Sequence, residues 1–108
     1  MKSARAKRPP KHPDILGTVR RCGKAGTFLL KIHGAERQEE RLVSRKEIEY
    51  VLENGSWEKS RDRYSEVEKK WSYAFKGRTL DSDLIRVVVS IEVRNDNEKV
   101  YVITVVIL

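Results

Sequence analysis

Residues 84–108 read LIRVVVSIEVRNDNEKVYVITVVIL, and this stretch decides the fold. Ile85, Val87, Val89, Ile91 and Val93 alternate with Leu84, Arg86, Val88, Ser90 and Glu92, the period of two of a β-strand. Asn95-Asp96-Asn97-Glu98 has the side chains of a hairpin turn. Residues 100–108 are apolar on both faces, which predicts a central strand covered on both sides. A lone hairpin is marginal in water, so the upstream chain must supply strands and a cover for its apolar face.

Working upstream, Trp71, Tyr73 and Phe75 alternate with Ser72, Ala74 and Lys76, predicting a half-buried strand. Residues 57–64 read as one polar edge strand, and Gly77 with Asp81-Ser82-Asp83 supplies turn chemistry. Ser44-x-x-Glu47 is a capping box, in which the hydroxyl takes the N3 amide and the carboxylate reaches back to the cap amide. It opens a helix over residues 45–54 that buries Ile48, Val51 and Leu52 and stops at Gly55. Residues 33–41 (HGAERQEER) read as a short polar helix and residues 27–32 (TFLLKI) as a strand. Asp14 caps a first helix of about two turns, with Ile15, Leu16 and Val19 on one side and Gly23 as its stop. This order predicts an α+β fold, a small mainly antiparallel sheet of four to five strands with two or three helices packed on one face.

The chain of 108 residues carries 23 Lys+Arg against 16 Asp+Glu, a formal net charge of +7. Seven of the first 21 residues are basic (Lys2, Arg5, Lys7, Arg8, Lys11, Arg20 and Arg21) and only Asp14 is acidic, so the remainder is nearly neutral. Residues 1–13 contain Pro9, Pro10 and Pro13 and no periodicity, which predicts a disordered basic arm ahead of a single domain over 14–108. Lys7 and Arg8 of the arm are candidates for tracking a phosphate backbone; His12 is expected to be solvated. No stretch approaches the roughly 18–20 apolar residues of a membrane span. No apolar segment follows the basic N-terminus as in a signal peptide, and a cytoplasmic protein is expected. One cysteine, Cys22, and two histidines cannot make a four-ligand zinc site, so neither metal nor cofactor is expected.

His33, Arg37 and Arg41 recur every fourth residue, which on a helix places all three on one side. Guanidinium forks suit phosphate oxygens, and a neighbouring imidazole titrates near neutrality. Those are the parts of phosphodiester cleavage without a metal: an acid or base, and cations for the charge that grows on phosphorus. Arg86 adds a cation in the sheet, and Arg61, Arg63 and Tyr64 are candidates for holding phosphate and stacking a base. The plainer readings are as definite. Glu36, Glu39 and Glu40 can pair with the helix arginines, Arg86 can pair with Glu92 or an acid on a neighbouring strand, and Trp57, Trp71, Tyr73 and Phe75 suit packing.

The run His33-x-x-x-Arg37-x-x-x-Arg41-x-Val43-Ser44-x-x-Glu47-Ile48-x-x-Val51-Leu52-x-x-Gly55 resembles a widespread bacterial and phage domain of unknown function. The resemblance continues through Tyr73 to Gly77, Leu84 to Val89, and Ile103-Thr104-Val105, and covers about 15–108. Gly34 stands where that family usually has Ala, and Leu42 where it often has Gly. The family is similar in fold and size to the RelE/ParE toxins of toxin–antitoxin systems, whose RelE-like members cleave mRNA on the ribosome without metal and whose ParE-like members inhibit gyrase. The resemblance carries over His33, Arg37 and Arg41, with Thr104 as a further match. It implies a toxin-like RNA-binding protein, a metal-independent endoribonuclease attacking through the RNA 2′-OH, with RNA or the ribosome and a cognate antitoxin as partners, as a monomer or weak dimer. The alternative is a non-catalytic module of the same fold, either a gyrase-type inhibitor or a nucleic-acid-binding adaptor.

Overall fold

The computed structural model describes residues 8–31 and 43–108. Helix α1 (Ile15–Ala25) and helix α2 (Arg45–Asn54) lie on one face of a six-stranded sheet. The strands are β1 (Leu29–Leu30), β2 (Ser56–Trp57), β3 (Arg63–Ser65), β4 (Lys70–Arg78), β5 (Leu84–Arg94) and β6 (Asn97–Ile107). Their order is β1-β6-β5-β4-β2, with β3 also on β4. All neighbours are antiparallel except β1, which runs parallel to β6. The α+β class and the one-sided helices follow the expectation, and the short strands β2 and β3 raise the strand count to six. No described helix is long and apolar enough to cross a membrane.

The hairpin forms as its turn chemistry demands. Asn95 and Asp96 hold φ of 49° and 66°, and Arg94 pairs with Asn97 across them. Ile85, Val87, Val89, Val100, Val102 and Val105 are buried against Ile15, Val19, Cys22, Ile48, Val51 and Leu52. The core positions of β6 therefore change parity between Val102 and Val105. The ladder jumps there, since Val88 faces Thr104 while Val89 faces Val102, leaving Ile103 as the extra residue of a bulge. A strand apolar on both faces hides this shift, because neither parity marks the core.

Helix α2 has the expected cap: Glu47 N donates to Ser44 Oγ at 3.1 Å, and Ser44 N donates to Glu47 Oε1 at 2.8 Å. Arg20 closes its other end, donating to the carbonyls of Leu52 and Gly55 at 3.1 and 2.6 Å. Helix α1 departs from expectation. It continues through Gly23 for 11 residues and stops at Gly26, whose φ is 68°. Gly23 instead faces α2, where an added Cβ would lie 2.7 Å from Glu53 N and 2.8 Å from Leu52 Cβ. It is a packing glycine, not a stop. Leu16 lies on the flank, 42% exposed, and Cys22 takes its place in the core.

Two other expectations change. Residues 57–64 are not one strand: Glu58 N still bonds Ala74 O, but the chain then closes a 3-10 turn over Lys59–Arg61 before β3 begins. Residues 8–13, expected in a disordered arm, are tied to the sheet. Trp71 Nε1 donates to Pro9 O at 2.8 Å, Lys11 Nζ to Asp62 Oδ2 at 2.9 Å, and His12 N to Tyr73 Oη at 3.1 Å. The His12 ring is covered, its side chain only 8% exposed. Its Nδ1 accepts from Asp14 N at 2.9 Å, so the proton sits on Nε2, 2.6 Å from Glu98 Oε2. Composition did not expose these anchors because every partner comes from more than fifty residues downstream, save Asp14.

Candidate nucleic-acid interface

The sheet face opposite the helices carries an open cleft of about 1010 Å³. Its floor is Ser72, Ala74, Val88 and Thr104, side chains that alternate with the core-facing positions of β4, β5 and β6. Ile103, the bulge residue, also reaches it. Six cations line the walls: Arg8, Lys11, Lys59, Arg61, Arg63 and Arg86. Tyr64 and Trp71, a directly opposed cross-strand pair, stand edge to face with centroids 5.4 Å apart. The 3-10 turn makes this gathering possible. It takes the chain out of the ladder after Glu58, and Lys59 and Arg61 within it line the cleft.

Two acids do different work here, Asp62 in the cleft wall and Glu58 beside it as the partner of Arg86. The Asp62 side chain is only 2% exposed and is engaged, accepting from Lys11 and, at 2.9 Å, from Trp57 Nε1. Glu58 meets Arg86 through both oxygens, Nε to Oε1 at 2.6 Å and Nη2 to Oε2 at 3.2 Å. Arg61 Nε and Lys76 Nζ also reach Glu58 Oε2, at 3.7 and 3.6 Å. The Arg86 hydrogen bond, helped by the charges of Arg86, Lys76 and Arg61, holds the Glu58 carboxyl below the usual carboxylate range against its partial burial. The same bond raises the Arg86 guanidinium above its ordinary value, so the pair is ionised.

The cations are unevenly committed. Arg8 pairs with Glu66 at 3.4 Å and lies over Tyr64 and Trp71, 5.3 and 6.0 Å from their centroids. Lys11 lies 5.0 Å over Trp71 and Lys59 5.6 Å over Trp57. Arg63 and Lys59 have no ion pair among the described residues. This is a surface with surplus positive charge, guanidinium forks and ring faces, the composition that holds a phosphate backbone with unstacked bases.

Of the residues singled out from the sequence, Arg8, Arg61, Arg63, Tyr64 and Arg86 come together in this one cleft, and Thr104 lies in its floor. Lys7, His33, Arg37 and Arg41 lie outside the described residues. Arg86 does pair with an acid, but with Glu58 rather than Glu92, which takes Lys70 at 3.0 Å. Sequence reasoning missed Glu58, Lys11, Lys59 and the half-exposed side of Trp71. The density of cations in residues 59–63 was a signal for Lys59. Glu58 gave none, since its role depends on Arg86 two strands away.

Residues 30–107 match the model of a family described as a domain of unknown function, DUF4258. The chain belongs to the DUF4258 family. No curated protein matches the chain, and no solved structure matches it. The DUF4258 span takes in Arg61, Arg63, Tyr64 and Arg86, whereas Arg8, Lys11 and helix α1 precede it. The cleft is thus built mostly from the DUF4258 domain, with one wall added by the preceding segment.

Proposed function

We propose that this protein binds single-stranded RNA in the cationic cleft, as a cytoplasmic protein of the toxin type, similar in fold to RelE/ParE toxins. The observation that carries the reading is the convergence of six cations and an aromatic pair from three separate parts of the chain around one cleft. Helices on one face and an open sheet on the other agree with a RelE-like arrangement. In this reading Arg61 and Arg63 hold phosphates, Tyr64 and Trp71 meet a base, and Lys7 and Arg8 extend the backbone contact. Cleavage through the 2′-OH would add His33 as acid or base and Arg37, Arg41 and Arg86 around the scissile phosphate. A cognate antitoxin would be the protein partner.

The test is binding of a fluorescent 12-nucleotide RNA at several salt concentrations. Arg63→Gln should weaken binding and lower the slope of log K against log salt by about 0.7, one phosphate contact on a single strand. Its unfolding midpoint should stay unchanged, because Arg63 has no ion pair to lose. Wild type that binds no RNA at low salt, or an Arg63→Gln/Arg61→Gln double variant that binds like wild type, would overturn the reading. A second reading, a non-catalytic module, is favoured by the Arg86–Glu58 pair, which already engages the sheet cation. Expression of wild type and Arg41→Ala separates the two: growth arrest with mRNA cleavage, lost in the variant, indicates a nuclease. RNA binding without cleavage indicates the module.

A further inference from the structure

We infer that Arg61, Lys76 and Arg86 form a phosphate subsite that the Glu58 carboxylate occupies in the free protein, so that an RNA phosphate binds by displacing Glu58. The inference rests on the RNA reading for the source of the phosphate, and on geometry for the subsite. Three cations from three elements reach one carboxylate: Arg86 on β5, Lys76 on β4 and Arg61 in the 3-10 turn. An ion pair that only fastened β5 to the turn would need a single cation. Three leave an excess of positive charge at one point, repelling one another unless an anion of higher charge takes the place. A phosphate group presents more oxygens than a carboxylate and accepts the same fork from Arg86.

Glu58 is suited to be displaced. Its side chain is 16% exposed and that of Arg86 18%, so both keep some contact with solvent, and Arg86 and Arg61 line the adjoining cleft. Asp62 is the contrast: 2% exposed, tied to Lys11 and Trp57, it cannot leave without breaking the wall. The backbone of Glu58 is separately held by its bond to Ala74 O at 2.8 Å, so the side chain can swing away while the turn stays in place. The carboxylate keeps the three cations gathered in the absence of ligand and lowers the apparent affinity by the fraction of time it fills the subsite.

The experiment measures inorganic phosphate binding by calorimetry, and RNA binding by anisotropy, on the full chain. Glu58→Gln should bind phosphate about tenfold more tightly than wild type, as expected if the subsite is vacated only a tenth of the time. Glu58→Gln/Arg86→Gln should lose that gain. Glu92→Gln removes the same charge from a carboxylate that pairs with Lys70 outside the cleft, and should stay near wild type. A gain as large in Glu92→Gln, or none in folded Glu58→Gln, overturns the subsite. With wild type still binding RNA, the RNA reading survives that result. Tighter phosphate binding by Glu58→Gln when no form binds RNA supports the subsite and removes the RNA reading instead. If Glu58→Gln fails to fold, the wild type decides: the Arg86 Nε resonance should shift on saturation with phosphate, and an unmoved resonance overturns the inference.

Discussion

Glu58 and Asp62 stand four residues apart, and their surroundings give them opposite duties. Asp62 is a buried acceptor for Lys11 and for the indole of Trp57. Asp62→Ala leaves both donors without their partner and should destabilise the protein by about 1–3 kcal/mol, read from the urea midpoint. The residues that sequence reasoning chose for the cleft were cations and a tyrosine, types whose chemistry is legible wherever they stand. The acids that arrange them were not legible, because a carboxylate in a charged run looks the same whether it is solvated, buried beneath a lysine or shared by three cations. Cys22 shows the limit from the other side. Its burial raises the thiol above its ordinary value, offset in part by hydrogen bonding from Thr27, and it serves as a small core side chain.

At the scale of elements, local signals held where local physics decides. The Ser44 box and the Asn95-Asp96 turn form as read, since each is closed by residues within three or four positions. They fail where a partner element decides. Gly23 carries the residue type of a helix stop but sits where α2 presses on α1, and the helix runs on to Gly26. Gly23→Ala should therefore destabilise by about 1–3 kcal/mol, although Ala is the better helix former, because its methyl meets backbone at Glu53. A more stable Gly23→Ala variant in urea unfolding would show that the helices separate freely. The edge segment failed for a like reason: its polar alternation fits a strand, but after Glu58 the chain closes a 3-10 turn, bridged by the Trp57–Asp62 bond, that separates β2 from β3.

The whole molecule joins an apolar core between helices and sheet to a charged surface on the opposite side. Its acid stability follows from the carboxylates it holds ionised. Glu47 is depressed mainly by the Ser44 amide, Glu58 by Arg86 and Glu92 by Lys70. Each has a folded value below its ordinary 4.5, so each contributes stability that is fully present above that value and lost as pH falls through the depressed one. The unfolding midpoint should hold steady from neutrality to about pH 5 and fall below 4.5. Glu92→Gln should flatten part of that fall, and a midpoint that rises on acidification would contradict these pairings. The segment 8–13 belongs to the same whole. Removing residues 1–13 takes away Lys11 from Asp62, His12 from Glu98 and the carbonyl of Pro9 from Trp71.

By itself the sequence determined the α+β class, the capped helix α2, the long hairpin and the cations in play. These depend on periodicity, caps and turn residues, interactions that span a few positions of the chain. Only the tertiary structure decided that Gly23 is a packing contact, that β6 shifts parity at Ile103, that Arg8, Arg61, Arg63 and Arg86 line one cleft, and that Glu58 draws Arg61 and Arg86 together. Those outcomes arise between segments separated by tens of residues, where burial and charge pairing choose among local possibilities that the chain alone leaves equal.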